Sequence, residues 1–254
     1  MKSLLARSIF LSPHPDDAVL SCGGTIYQLV QNDQRPIVMT IFGGDQPADA
    51  PLSDFARSLH TRWQLSDNAP TLRREEDRAA CDRLNAYLIN LRFADAIYRI
   101  DPITQRHLYT SEEAIFGDVR DPVIIDEVTE TLRARIARTS PARLFVPLTA
   151  GHHVDHLIVR AAAERSGGEL IYYEDYPYAE DAAKLAHVWG NDEWSPESIA
   201  LSDEALRAKI DAFVQHRSQI STFYRNDEDV AQRIRAYAEA IGQGQPAERF
   251  WRKC

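Results

Sequence analysis

The sequence predicts an α/β fold: a Rossmann-like three-layer sandwich with a mostly parallel sheet and helices on both faces. Two observations carry this expectation. Short apolar runs of strand length alternate with longer stretches of helical periodicity, and the runs are rich in branched residues and bounded by turn signals. In chain order, strands are expected over residues 8–12, 36–42, 87–93, 143–148 and 169–173. Helices are expected between them, over 22–33, 72–85, 121–139 and 155–166. Two more helices follow at 203–223 and 227–242, the first capped by Asp203 and the second stopped by Gly242. Segments 43–71 and 94–120 are long and rich in Pro, Asp and Ser. Loops of that length in a compact domain usually serve as lids or substrate-binding walls.

At 254 residues, 44% hydrophobic and 26% charged, the chain can bury one core without subdivision. A single domain over 1–254 is expected, with the C-terminal helices from about residue 203 packed on the same core. The formal charge of −9 disfavours a general affinity for nucleic acid, because phosphates would be repelled. The N-terminus MKSLLARSIFLS superficially resembles a leader, but Arg7 and Pro13 interrupt it and no small-residue cleavage site precedes His14. No run reaches the roughly 18 apolar residues of a membrane span. The reading is therefore a cytoplasmic protein without a membrane span. Cys22, Cys81 and Cys254 are widely spaced and form no CxxC, so they predict neither disulfides nor a metal site.

Chemistry concentrates in two clusters, His14-Pro15-Asp16-Asp17 and His153-Val154-Asp155-His156. His14 follows the first expected strand and His153 follows the fourth after a short turn. Both clusters thus fall at C-terminal strand ends, where open α/β sheets bind ligands. The imidazole of His14 and the carboxylate of Asp17 can converge on one cation. Either His153 or His156 can complete a three-donor site that leaves a position for water, the hallmark of catalytic rather than structural zinc. Asp16, beside the ligands but not needed as one, suits the base that takes the water's proton. The plain alternative is that Asp-Asp after a strand merely caps a helix. Against it, four of the eight histidines (His14, His152, His153, His156) lie in these two stretches, each beside a carboxylate.

These residues resemble the LmbE/PIG-L family of zinc-dependent N-deacetylases, which carries an (A/P)HPDDE-type motif after the first strand and an HxDH motif far downstream. Pro13-His14-Pro15-Asp16-Asp17 and His153-Val154-Asp155-His156 match in order and spacing. The resemblance implies that His14, Asp17 and His156 bind zinc and that Asp16 is the general base. It implies that His153 stabilises the oxyanion and protonates the leaving amine, and that Asp155 orients or tunes His153. Ala18 departs from the motif, where many members carry glutamate.

Arg73, in Arg73-Arg74-Glu75-Glu76, resembles a family position that reaches the substrate pocket; a solvated first helical turn accounts for it equally well. Asp95, just beyond the third strand, resembles a position that binds substrate hydroxyls. Tyrosines in 172–178 suit a sugar face or the wall of an ordinary turn. Gly23-Gly24 and Gly43-Gly44 read as loop or close-packing glycines, and His60, His107, His187 and His216 as surface or core residues. The expected function is removal of an N-acetyl or other N-acyl group from a small amino sugar or glycoside. Amidase action on thiol conjugates or another acylated amine is the alternative, and a non-catalytic metal-binding protein a third. Zinc is the expected metal, ferrous iron and cobalt being compatible with the donors. The expected partner is a small N-acylated substrate, and a homo-oligomer is compatible with the sequence.

Overall fold

The computed structural model of the chain describes residues 7–48, 50–139, 142–189 and 192–254; the first six residues of the leader-like segment lie outside the described residues. The elements run β1 (Arg7–Ser12), α1 (Asp17–Gln31), β2 (Ile37–Thr40), α2 (Asp54–Arg62), α3 (Ala69–Leu84), β3 (Tyr87–Asn90), α4 (Glu112–Ile115), α5 (Val123–Ile136) and β4 (Ala142–Pro147). They continue with α6 (Val154–Ser166), β5 (Glu169–Tyr173), α7 (Ala182–Trp189), β6 (Trp194–Ala200), α8 (Asp203–Phe213), α9 (Arg217–Phe223), α10 (Asp227–Ile241) and β7 (Ala247–Lys253). One sheet has the order β3-β2-β1-β4-β5-β7-β6. Its first five strands are parallel, and β7 pairs antiparallel with both β5 and β6.

Alternation along the central strand shows why three layers form. Phe10 joins an apolar cluster with Leu20 and Ile26 of α1, Leu84 of α3, Leu206 and Phe213 of α8 and Ile234 of α10. Its neighbours Ile9 and Leu11 face the opposite cluster, with Val128 and Leu132 of α5 and Ile158 and Val159 of α6. Successive side chains of a strand point to opposite faces, so a run apolar at every position must be covered twice. The two expected loops fold onto each other: Leu59 and Trp63 pack with Ile97, Tyr98, Tyr109 and Ile115 in a third cluster.

Three expectations are corrected. Strands β6 and β7 were not anticipated, because WSPESIA and AERFWRK lack an apolar run. The helix expected over 203–223 is two helices, broken between Phe213 and Arg217. Its cap is Ser202, whose hydroxyl accepts from the Ala205 N–H at 3.1 Å, so Asp203 instead contributes its charge to the first turn. Gly242 does end α10, and Cys22 and Cys81 are buried on α1 and α3. No helix among the described residues is long and apolar enough to cross a membrane.

The Gly23-Gly24 pair is a close-packing device. A Cβ on Gly24 would sit 2.5 Å from Leu201 Cδ1, and one on Gly23 would sit 3.0 Å from Lys209 Cγ. This approach lets a buried ion pair reach the middle of α1. Lys209 Nζ donates to Glu248 at 2.7 Å and to the Ser21 carbonyl at 3.0 Å, while Glu248 accepts from the N–H groups of Gly24 and Thr25 at 3.0 and 2.8 Å. Helix α8 and the last strand are thereby tied to the helix that begins at Asp17.

Candidate metal centre and active site

Strand order places the site. The chain leaves β1 for β2 on one side, whereas β4 lies on the other, so the C-terminal ends of β1 and β4 form the topological switch point of the sheet. His14, Asp16 and Asp17 follow β1, and His153 and His156 follow β4. All five line one cleft of about 250 Å³.

Within it, Asp17 Oδ2 lies 3.2 Å from His14 Nδ1 and 3.3 Å from His156 Nε2. Donors held about 2.0–2.1 Å from a common tetrahedral ion are separated by roughly 3.3 Å, so Asp17 stands from each histidine at the spacing that two donors of a shared zinc would have. Each histidine uses its other nitrogen on a carboxylate: His14 Nε2 meets Asp155 Oδ2 at 2.9 Å, and His156 Nδ1 meets Asp175 Oδ1 at 2.6 Å. That pairing fixes which nitrogen of each ring is left to face Asp17. Burial acts to lower both imidazoles, but the surrounding aspartates outweigh it; His14 is held well above its ordinary range and His156 is raised to about 10. The cluster is built for positive charge, and a cation entering it must displace those protons.

His153 also places a nitrogen within 4.8 Å of nitrogens on His14 and His156. Its Nδ1, however, accepts from the Asp155 N–H at 3.2 Å as the N-cap of α6. A neutral ring used that way carries its proton on Nε2. Burial, then the positive charge on His14, holds His153 well below the ordinary histidine range, which keeps the ring neutral.

Asp16 answers the capping alternative directly. It stands at the N-cap position of α1 yet makes no capping hydrogen bond, and its backbone has φ 124°. A non-glycine residue there is strained, a cost the surrounding fold must hold in place. The turn is fixed by neighbours: Ser12 Oγ accepts from the Ala18 N–H at 2.9 Å and donates to the His14 carbonyl at 2.6 Å. The Asp16 carboxylate is buried and lines the cleft, with Arg73 3.8 Å away. Desolvation first, then the charge of Asp17, pushes its pKa well above the carboxylate range, while Arg73 and His14 oppose the rise.

Arg73 is no solvated helix residue. It is buried in the cleft wall, over the Trp63 ring at 4.8 Å, and donates to Asp95 at 3.4 Å. Its neighbour Arg74 is half-buried and bonds Asp45 and the Gly43 carbonyl. Asp95 lines the cleft too, but its other oxygen accepts from the Ile97 N–H. Asp155 meets His153 through its backbone N–H and through its charge, which opposes the fall of the His153 pKa, while its carboxylate holds His14 and pairs with Arg99 at 2.6 Å. Ala18 is fully buried in the α1-side core and does not line the cleft, so the place of the usual glutamate is apolar here. Tyr178 supplies a wall, packed against Gly151, whereas His152 stays outside the cleft.

Sequence reasoning missed Arg99 and Asp175. Neither belongs to a motif, and only the fold brings them to the site; an acidic residue just past a strand end is the one faint signal Asp175 offers. It also missed the outer rim, where Leu59, Trp63, Ile115, Phe116 and Phe223 make the cleft largely apolar.

The chain is 32% identical over 180 residues to the 2'-N-acetylparomamine deacetylase of Streptomyces fradiae, covering 68% of this chain and 58% of that enzyme. The enzyme of the same name from Niallia circulans is 28% identical over 67% of this chain and 66% of its own length. The chain therefore spans less than two thirds of these relatives. Solved structures match along nearly the whole chain. A zinc-inhibited form of teicoplanin deacetylase superposes with a TM-score of 0.84 at 28% identity, covering 98% of this chain and 99% of that one. The A40926 pseudoaglycone deacetylase gives 0.82 at 30% identity, covering 98% and 97%. The family model for PIG-L, GlcNAc-PI de-N-acetylase, matches residues 9–166, more than half of the chain and both motifs. This chain belongs to the PIG-L (LmbE-like) family.

Proposed function

We propose that this protein is a zinc-dependent amide hydrolase that removes an N-acetyl group from a small amino sugar or glycoside. The observation that carries the reading is the juxtaposition of a strained, buried, uncapped Asp16 with Asp17, whose carboxylate oxygen lies 3.2 and 3.3 Å from nitrogens of His14 and His156. The deacetylases of N-acetylparomamine, teicoplanin and A40926 pseudoaglycone among its relatives support the substrate class.

His14, Asp17 and His156 would hold the ion, which when bound acidifies a water molecule and polarises the amide carbonyl. Asp16 takes a proton from the water that attacks the acyl carbon; its raised pKa suits a group that must accept and then return a proton. The Nε2–H of neutral His153 donates to the oxygen on which negative charge develops. This modifies the expectation from family resemblance. A histidine held neutral, with Nδ1 already used as an acceptor, serves as the oxyanion donor, and the proton on Asp16 passes to the leaving nitrogen as the C–N bond breaks. Arg73 and Asp95, in the wall beside Asp16, are the polar groups placed to meet sugar hydroxyls.

Acetate release from 2'-N-acetylparomamine and from simple N-acetylglucosaminides tests the reading. Turnover should vanish on chelation and return with zinc, or with cobalt or ferrous iron. Zinc-loaded protein that releases no acetate from any N-acetylated glycoside would overturn it. A second expectation concerns Arg73, which opposes the upward shift of Asp16. Arg73→Met should move the acidic limb of the kcat/KM profile to higher pH, by about one unit or more for a cation at this distance. An unmoved limb would detach Arg73 from the base.

A further inference from the structure

We propose that Asp175 is a positioning residue that sets two catalytic groups at once, the metal-facing nitrogen of His156 and the loop that presents His153. The proposal rests on the metal reading above and adds a residue beyond the matched family segment, residues 9–166.

Asp175 lies two residues past β5 and is 2% exposed; it does not line the cleft, so it acts only through its neighbours. One carboxylate oxygen, Oδ1, faces His156 Nδ1 at 2.6 Å. The distance is short even for a charge-assisted bond, and it commits Nδ1 to carry the proton and Nε2 to face Asp17. The other oxygen, Oδ2, accepts from the N–H groups of Thr149 and Ala150 at 2.6 and 3.2 Å. Those two amides open the short loop from β4 to α6, which ends at His153.

That loop needs holding. Thr149 has φ 70° and His152 has φ 57°, so two of the six residues between β4 and α6 are non-glycine residues in the left-handed region. Each costs energy that something else must offset. Asp175 binds the strained end through two charge-assisted bonds, and the same carboxylate reaches across to α6 at His156. A displacement of Asp175 would therefore turn the metal ligand and shift the oxyanion donor together. Asp155 cannot substitute, because its carboxylate is occupied by His14, Arg99 and the Ala96 N–H.

Asparagine at 175 keeps the shape but offers one acceptor oxygen for two jobs. In Asp175→Asn, zinc affinity measured by competition with a chromophoric chelator should fall about 10–100-fold. At saturating zinc, kcat should fall further than KM changes, since the loss lies in His153 rather than in substrate contacts. Long-range 1H–15N correlation spectra of the zinc-loaded wild type should show His156 protonated at Nδ1 and bound through Nε2. Wild-type zinc affinity in the variant, with only a lowered Tm, would reduce Asp175 to a structural role and overturn the proposal. So would a wild-type spectrum with the proton on Nε2, a result that needs no variant to fold. Wild-type protein that binds no zinc would overturn the metal reading itself, before any variant is compared.

Discussion

Asp16→Asn lowers kcat on an N-acetylated glycoside by about 10²–10⁴-fold, the range for loss of a general base, with zinc affinity within a few-fold of wild type. Asparagine is nearly isosteric and is among the few residues that tolerate positive φ, so the turn at φ 124° survives. The proposed ligands His14, Asp17 and His156 are untouched, which separates loss of the base from loss of the metal. The same substitution should raise the Tm of the metal-free protein at neutral pH. A carboxyl whose folded pKa lies above its unfolded value near 3.8 weakens the fold progressively as pH climbs from there through the folded pKa. Removing the charge removes that loss, and the gap between variant and wild type should close in acid. Activity and stability are expected to move in opposite directions, as at other strained functional sites. An Asp16→Asn enzyme with more than a tenth of wild-type kcat would exclude Asp16 as the base.

The largest stability effect is expected far from the cleft. Lys209→Met leaves Glu248 buried without its cation, and breaking a buried pair from one side costs about 3–5 kcal/mol. Glu248 retains the Gly24 and Thr25 amides as donors, which favours the lower end. Urea unfolding monitored by tryptophan fluorescence measures the loss. Lys209→Met with Glu248→Gln should recover much of it, because a neutral side chain still accepts from one amide and leaves no naked charge. A single variant as stable as wild type would show that solvent reaches Glu248. Since the pair is anchored on α1, which begins at Asp17, stability here and the metal site are physically linked.

The five strands legible in the sequence are those whose pattern is local. Ile9, Phe10 and Leu11, and Ile37, Val38 and Met39, are apolar at every position because both faces are covered, and such a run announces a parallel strand without knowledge of its partners. The motifs were legible for a similar reason. Each packs its chemistry into four residues, and a donor following a strand needs only the rule that strands end at the ligand edge. Strand β6 is exposed along most of its length and contains Pro196; it is a strand only because β7 pairs with it. The break at residues 214–216 likewise follows from the docking of α9 on the cleft rather than from a glycine or proline.

The sequence by itself determined the fold class and the two clusters, and the resemblance it carries singled out the proposed donors and base. Tertiary structure decided how those groups are held. Asp155 and His14 are 141 positions apart, and Asp175 and His156 are 19 apart. No periodicity reports which carboxylate meets which ring, yet that contact selects the nitrogen that faces Asp17 in the proposed metal site. Only the fold shows that the Asp155 carboxylate also holds His14, that Arg73 is buried beside Asp16, and that Asp16 leaves its helix uncapped. The physical reason is range. Burial patterns and strand-end chemistry are written in neighbouring residues, whereas hydrogen bonds that fix a tautomer or restrain a strained turn come from elements that meet only when the sheet is assembled.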